Sequence, residues 1–147
     1  MTRRAPASTR RAEPATALFT IGYEGRELDE LLAILRAHEV DRLLDVRQLP
    51  LSRRRGFSKT PLGEALRATG IEYLHVRAAG NPFRKEGEPG IAKYREYLPA
   101  VAVAEVADAA RGHRAALLCF CADVEHCHRG VLAPRVARKL GVPPVNL

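Results

Sequence analysis

AALLCFCADVEHCHRG, residues 115–130, passes in one step from an apolar run to a dense polar cluster. The run AALLCFC (115–121) is too short for a buried helix and reads as a buried strand. ADVEHCHRG follows, and a helix is predicted from about His128 to Leu140. Strand, reactive loop, helix is half of a β–α unit, and the rest of the chain repeats that order. ALFTI (17–21) is a strand, followed by Leu28, Leu31, Leu32 and Leu35 at helical spacing behind the acids Glu27, Asp29 and Glu30. RLLDV (42–46) is a second strand, and Thr60-Pro61 marks a helix start, cap then first-turn proline. Gly70 ends that helix and IEYLHV (71–76) is a third strand. Helical segments around 91–98 and 99–111 are divided at Pro99, and VPPVNL (142–147) can add a short edge strand. The fold class expected is α/β: a single three-layer domain with a mostly parallel sheet flanked by helices.

Composition sets the outer bounds. At 147 residues with 46% apolar residues, the chain is long enough to bury one core without staples. No run of about 18 uncharged apolar residues exists, so no membrane span is expected. The start, MTRRAPASTRRAEPA, has arginines but no apolar core of a secretory signal, so a cytoplasmic protein is expected. Residues 1–16 are read as a disordered basic tail and 17–147 as the α/β domain. That tail carries four arginines against Glu13, so +3 of the net charge of +7 lies in it. Only four of the 24 basic residues are lysines, a bias that looks genomic and weakens arguments from arginine counts. The three cysteines lie within nine residues of one another, which gives no disulfide framework.

In parallel sheets the ligand sits beyond the carboxyl ends of the strands. The segments after the four main strands are GYEG, RQLPLSRRRGFSK, RAAGNPFR and ADVEHCHRG, and every dense polar cluster is among them. Four clusters at one sheet edge would make one site. These segments together resemble the widespread prokaryotic proteins grouped as domain of unknown function family 488. The stretches that carry the resemblance are TIGYEG (20–25), DVRQLPLSRRRGFSK (45–59), YLHVRAAGNP (73–82) and LLCFCADVEHCHR (117–129). They cover roughly residues 18–140. The chain departs from that pattern at Cys121, where an acid is usual, and at Ala79, where a leucine is usual. The resemblance implies no activity.

The residues must therefore be weighed by their chemistry. Cys127, His128 and Arg129 lie between a strand and a helix, where unsatisfied N–H groups favour a thiolate or a bound anion. Cys127, Asp45 and His128 are the candidate catalytic groups, with Cys127 as nucleophile or redox centre. Arg129, Arg47 and Ser52 are the candidate anion-binding groups, and Tyr23, Asn81 and Cys121 are candidate pocket walls. Competing readings make Arg129 a partner of Asp45 or Glu125, and Asp45–Arg47 a buried bridge that shapes its loop. The phosphatase spacing is absent, since Cys121 and Arg129 are eight apart. A metal site drawing on Cys119, Cys121, His126, Cys127 and His128 is not expected, because no second cysteine pair exists and strand cysteines are usually buried. GYEG is too short for a dinucleotide fingerprint, so no cofactor is expected. His75 reads as a core histidine. The partner expected is a small anionic ligand, phosphate-bearing or nucleotide-like, held by an enzyme or a binding protein. The alternative is a nucleic-acid-binding accessory using the tail, the arginines at 53–55 and Arg84-Lys85. The sequence specifies no oligomeric state.

Overall fold

The computed structural model describes residues 15–147, and most of the predicted basic tail lies outside them. Five strands form one sheet: β1 (Ala17–Gly22), β2 (Arg42–Asp45), β3 (Glu72–His75), β4 (Arg114–Cys119) and β5 (Pro144–Asn146). All pair in parallel, in the order β3-β2-β4-β1-β5. The helices are α1 (Leu28–Ala37), α2 (Lys59–Ala68), α3 (Glu88–Tyr97), α4 (Ala100–Ala110) and α5 (Arg129–Leu140). The expected single α/β domain with a sheet flanked by helices is what forms, and β5 is the edge strand read from VPPVNL. No helix among the described residues is long and apolar enough to cross a membrane.

The two-residue period of a strand sends neighbours to opposite faces, and both faces are covered in β1, β2 and β4, which explains their apolar runs. Leu18, Leu44, Ala115 and Leu117 meet Tyr94 of α3, Ala102 and Val106 of α4, and Leu132 and Val136 of α5. Phe19, Ile21, Leu43, Ala116 and Leu118 meet Leu31 and Leu35 of α1 and Leu62 and Leu66 of α2. The chain after β1 and β2 thus turns to one face, while the chain after β4 turns to the other. A crevice opens where neighbouring strands diverge in this way, and β4 lies between both of its divergent neighbours.

Several boundaries differ from the sequence reading. Helix α2 begins at Lys59 with Ser58 as its N-cap residue, so Thr60 and Pro61 lie inside the first turn. Helix α3 begins at Glu88, behind Gly87 and with proline in its first turn. Strand β4 ends at Cys119, which leaves Phe120 and Cys121 in the loop. Thr16, assigned to the tail, is tied to the domain, because its Oγ1 accepts the Gly112 N–H at 2.8 Å.

Candidate functional site

The loops after β1, β2, β3 and β4 converge, and two glycines permit it. A Cβ on Gly22 would lie 1.8 Å from the Cys121 carbonyl oxygen, so only glycine lets the β4–α5 loop fold over the end of β1. A Cβ on Gly80 would lie 2.5 Å from the Gln48 Cα, which joins the loops after β3 and β2 in the same way. Between them is a cavity of about 500 Å³, within the usual range for small-molecule pockets.

Asp45 ends β2 and is fully buried. Its Oδ1 accepts from Arg47 Nε at 2.8 Å and from the Arg47 backbone N–H at 3.1 Å. Its Oδ2 accepts from Arg47 Nη2 at 2.7 Å and from the Tyr73 hydroxyl at 2.5 Å. Arg47 Nη1 donates to the Phe57 carbonyl at 2.7 Å and to the Tyr23 hydroxyl at 3.2 Å. Tyr23 in turn stacks on Phe57, with ring centroids 4.5 Å apart. Burial alone would lower the Arg47 pKa, but the hydrogen bonds and charge of Asp45 outweigh it and hold the guanidinium above its ordinary value. Burial, then Asp45, raises the Tyr73 phenol. Both Asp45 oxygens and all three Arg47 side-chain nitrogens have partners inside the protein. The pair pins the loop that enters α2 and offers neither a free base nor a free anion clamp. That geometry matches the reading of Asp45–Arg47 as a buried bridge that shapes its loop.

The cysteine cluster is organised by α5. Its first helical residue is Arg129 and its N-cap is His128, so Cys127 stands outside the first turn. A short 3₁₀ turn, Val124–His126, brings the chain back toward the end of β4. The sulfurs of Cys119, Cys121 and Cys127 consequently lie within 4.8 Å of one another, and Cys119 and Cys127 are paired sulfur to sulfur. Cys119 and Cys127 are buried, whereas Cys121 is half-exposed. Accessibility therefore favours Cys121 over Cys127, the nucleophile or redox centre expected from the sequence. Burial pushes the Cys121 thiol up, with Arg129 acting against that shift.

Arg129 is buried yet has no carboxylate partner among the described residues. Its Nε donates to Cys119 Sγ at 3.0 Å, Nη1 to Thr20 Oγ1 at 2.9 Å and Nη2 to the Cys121 carbonyl at 2.5 Å. Burial pulls its pKa down to about 10. It pairs with neither Asp45 nor Glu125, and it stands behind the sulfurs rather than on the main cavity wall. His128 Nε2 donates to the Val46 carbonyl at 2.7 Å, while Nδ1 lies 3.8 Å from Cys127 Sγ. Burial lowers the His128 pKa to about 4, so the ring is neutral, with Nδ1 beside Cys127 Sγ.

Of the residues singled out from sequence, Tyr23, Arg47, Ser52, Asn81, Cys121, Cys127 and His128 line the cavity, and Asp45 and Arg129 do not. Ser52 Oγ accepts the Arg54 N–H at 3.0 Å and Asn81 Oδ1 the Phe83 N–H at 2.9 Å, so both shape turns. His75 Nε2 donates to the Arg47 carbonyl at 2.9 Å, as a structural group. His126 is turned outward to Glu88 at 2.5 Å. The walls that sequence reasoning missed are apolar: Leu49, Leu51 and Phe120, each more than 40% exposed. Large apolar residues placed in polar post-strand loops were the available signal. Arg53, Arg54 and Arg84 complete the rim.

A family model described as Domain of unknown function DUF488 matches residues 27–136. No curated protein matches the chain, and neither does any solved structure.

Proposed function

The chain belongs to the family Domain of unknown function DUF488, and from the chemistry of the site we propose that it binds and acts on a small anionic, phosphate-bearing molecule of nucleotide-like size. The supporting observation is one cavity with a sulfur- and imidazole-bearing floor, apolar walls and an arginine rim. Arg53 and Arg84 make no ion pair among the described residues, so their charge is available to an anion. Leu49, Leu51 and Phe120 suit a planar or apolar body beside that charge. The anion contacts therefore move from Arg47 and Arg129, which are internally engaged, to the rim. We take the setting to be a bacterial cytoplasm, where thiols stay reduced.

Thermal denaturation against increasing pyrophosphate or nucleoside phosphate tests this reading. A ligand at 100 times its Kd stabilises by about 2.7 kcal/mol, which is about 5–11 °C for a domain of this size. The rise should saturate, and Arg53→Ala with Arg84→Ala should abolish it without moving the ligand-free midpoint. Absence of any saturable rise, together with steep salt-dependent binding to DNA or RNA, would decide for the nucleic-acid alternative.

A further inference from the structure

We propose that Cys119, Cys121, Cys127 and Nδ1 of His128 form a binding site for a thiophilic divalent cation, with zinc(II) as the ion the donor set fits. Three sulfurs within 4.8 Å of one another are close enough to share one ion after small side-chain rotations. Three cysteines and one histidine are an established zinc set, with zinc–sulfur bonds of about 2.3 Å and zinc–nitrogen bonds of about 2.0 Å. The missing second cysteine pair is no obstacle, because the 3₁₀ turn at Val124–His126 returns the chain and delivers Cys127 to Cys119.

Three further observations point to a ligand rather than to a packed sulfur cluster. The Cα atoms of Cys119 and Cys127 are 7.9 Å apart, beyond the roughly 4.4–6.8 Å that disulfides span. A bridging ion accommodates that separation without moving the backbone. The buried His128 ring donates Nε2–H to the Val46 carbonyl, and its other nitrogen lies 3.8 Å from Cys127 Sγ, so a modest ring movement would carry it to a shared ion. A histidine oriented by a backbone carbonyl through its far nitrogen is the usual outer support of a metal ligand. Arg129 is a buried cation whose nearest candidate counter-charge is a Cys119 thiolate. Three thiolates around a dication leave one net negative charge, which that guanidinium offsets. A neutral disulfide would leave the guanidinium uncompensated.

The site shares the pocket floor with the proposed anion site but does not depend on it. The test uses the full chain, reduced with a phosphine under anaerobic conditions and freed of metal. Cobalt(II) should bind one per chain, with thiolate charge-transfer absorption and the visible bands of a four-coordinate ion, and zinc(II) should displace it. Cys121→Ser is the first variant, because Cys121 lies outside the strand and should not affect folding. It should weaken cobalt binding by more than the about 10–100-fold that loss of an outer-shell partner brings and remove about one third of the charge-transfer intensity. His128→Ala should weaken binding and shift the visible bands, with circular dichroism reporting the fold. The proposal is overturned if reduced protein takes up no cobalt, or if either variant binds as the wild type does. It is equally overturned if zinc does not slow air oxidation of Cys119 and Cys127 to a disulfide. Phosphate-dependent stabilisation of the metal-free protein is scored separately, so failure of the anion reading leaves the cobalt result intact.

Discussion

Asp45→Ala is the substitution that separates a structural ion pair from a catalytic base. It removes the acceptor for Arg47 Nε and Nη2, for the Arg47 backbone N–H and for the Tyr73 hydroxyl. Arg47 is only 5% exposed, so its guanidinium would be left as a buried charge that water cannot reach. Breaking one partner of such a pair costs about 3–5 kcal/mol, or about 6–20 °C in Tm for a domain of this length. Arg47→Met should cost a similar amount, because it strands the carboxylate instead. The double variant strands neither, so its loss should fall below the sum of the single losses by about 0.5–3 kcal/mol. Urea unfolding followed by circular dichroism measures all three, with an unchanged m-value as the check that the folded state stays compact. Additive losses, or a shift of less than about 2 °C for Asp45→Ala, would refute the buried-bridge assignment and reopen a catalytic role for the carboxylate.

Three further outcomes follow from the same geometry. Tyr73→Phe should lose the about 1.5–3 kcal/mol of a hydrogen bond to a charged group, read by the same urea titration; a neutral result would detach Tyr73 from the Asp45 network. Gly22→Ala should cost at least the about 1–3 kcal/mol of overpacking, because its Cβ would overlap the Cys121 carbonyl; an unchanged Tm would mean that the loop yields freely. Iodoacetamide on reduced, metal-free protein should label Cys121 before Cys119 and Cys127, as its half-exposed position requires; peptide mapping that finds Cys127 first would restore it as the accessible thiol.

The fold was legible because its signals are local and redundant. The central strands β2, β4 and β1 read as apolar runs since both their faces are covered, as Leu117 and Leu118 show by packing against opposite helix layers. The boundaries that shifted did so where local signals compete. Ser58 and Thr60 are both acceptable caps, and the choice went to Ser58, whose Oγ also accepts the Ser52 N–H at 3.0 Å across the loop. Strand β4 stops at Cys119, two residues before its apolar character ends. The Tyr23 and Glu24 N–H groups take the Cys119 and Phe120 carbonyls there, and Cys121 is drawn over Gly22.

The site was legible as a location and less so as a set of roles, and the reason is physical. Spacing after strands places a residue at the sheet edge, but its side chain can then turn to the cavity, to the core or to a neighbouring loop. Arg47, Arg53 and Arg129 are all cations that follow a strand in the sequence. Three-dimensional partners distinguish them: a carboxylate two residues away for Arg47, open rim for Arg53, and Thr20 with Cys119 for Arg129. The cysteines show the converse. From the sequence a metal is not expected there, because the chain carries no second cysteine pair. The third sulfur arrives through a backbone reversal at residues 124–126, and the imidazole follows because it is the N-cap of the next helix. A donor set assembled by a loop closing on a strand end has no fixed spacing, so its signature is convergence of sulfur, imidazole and a carboxylate-free arginine.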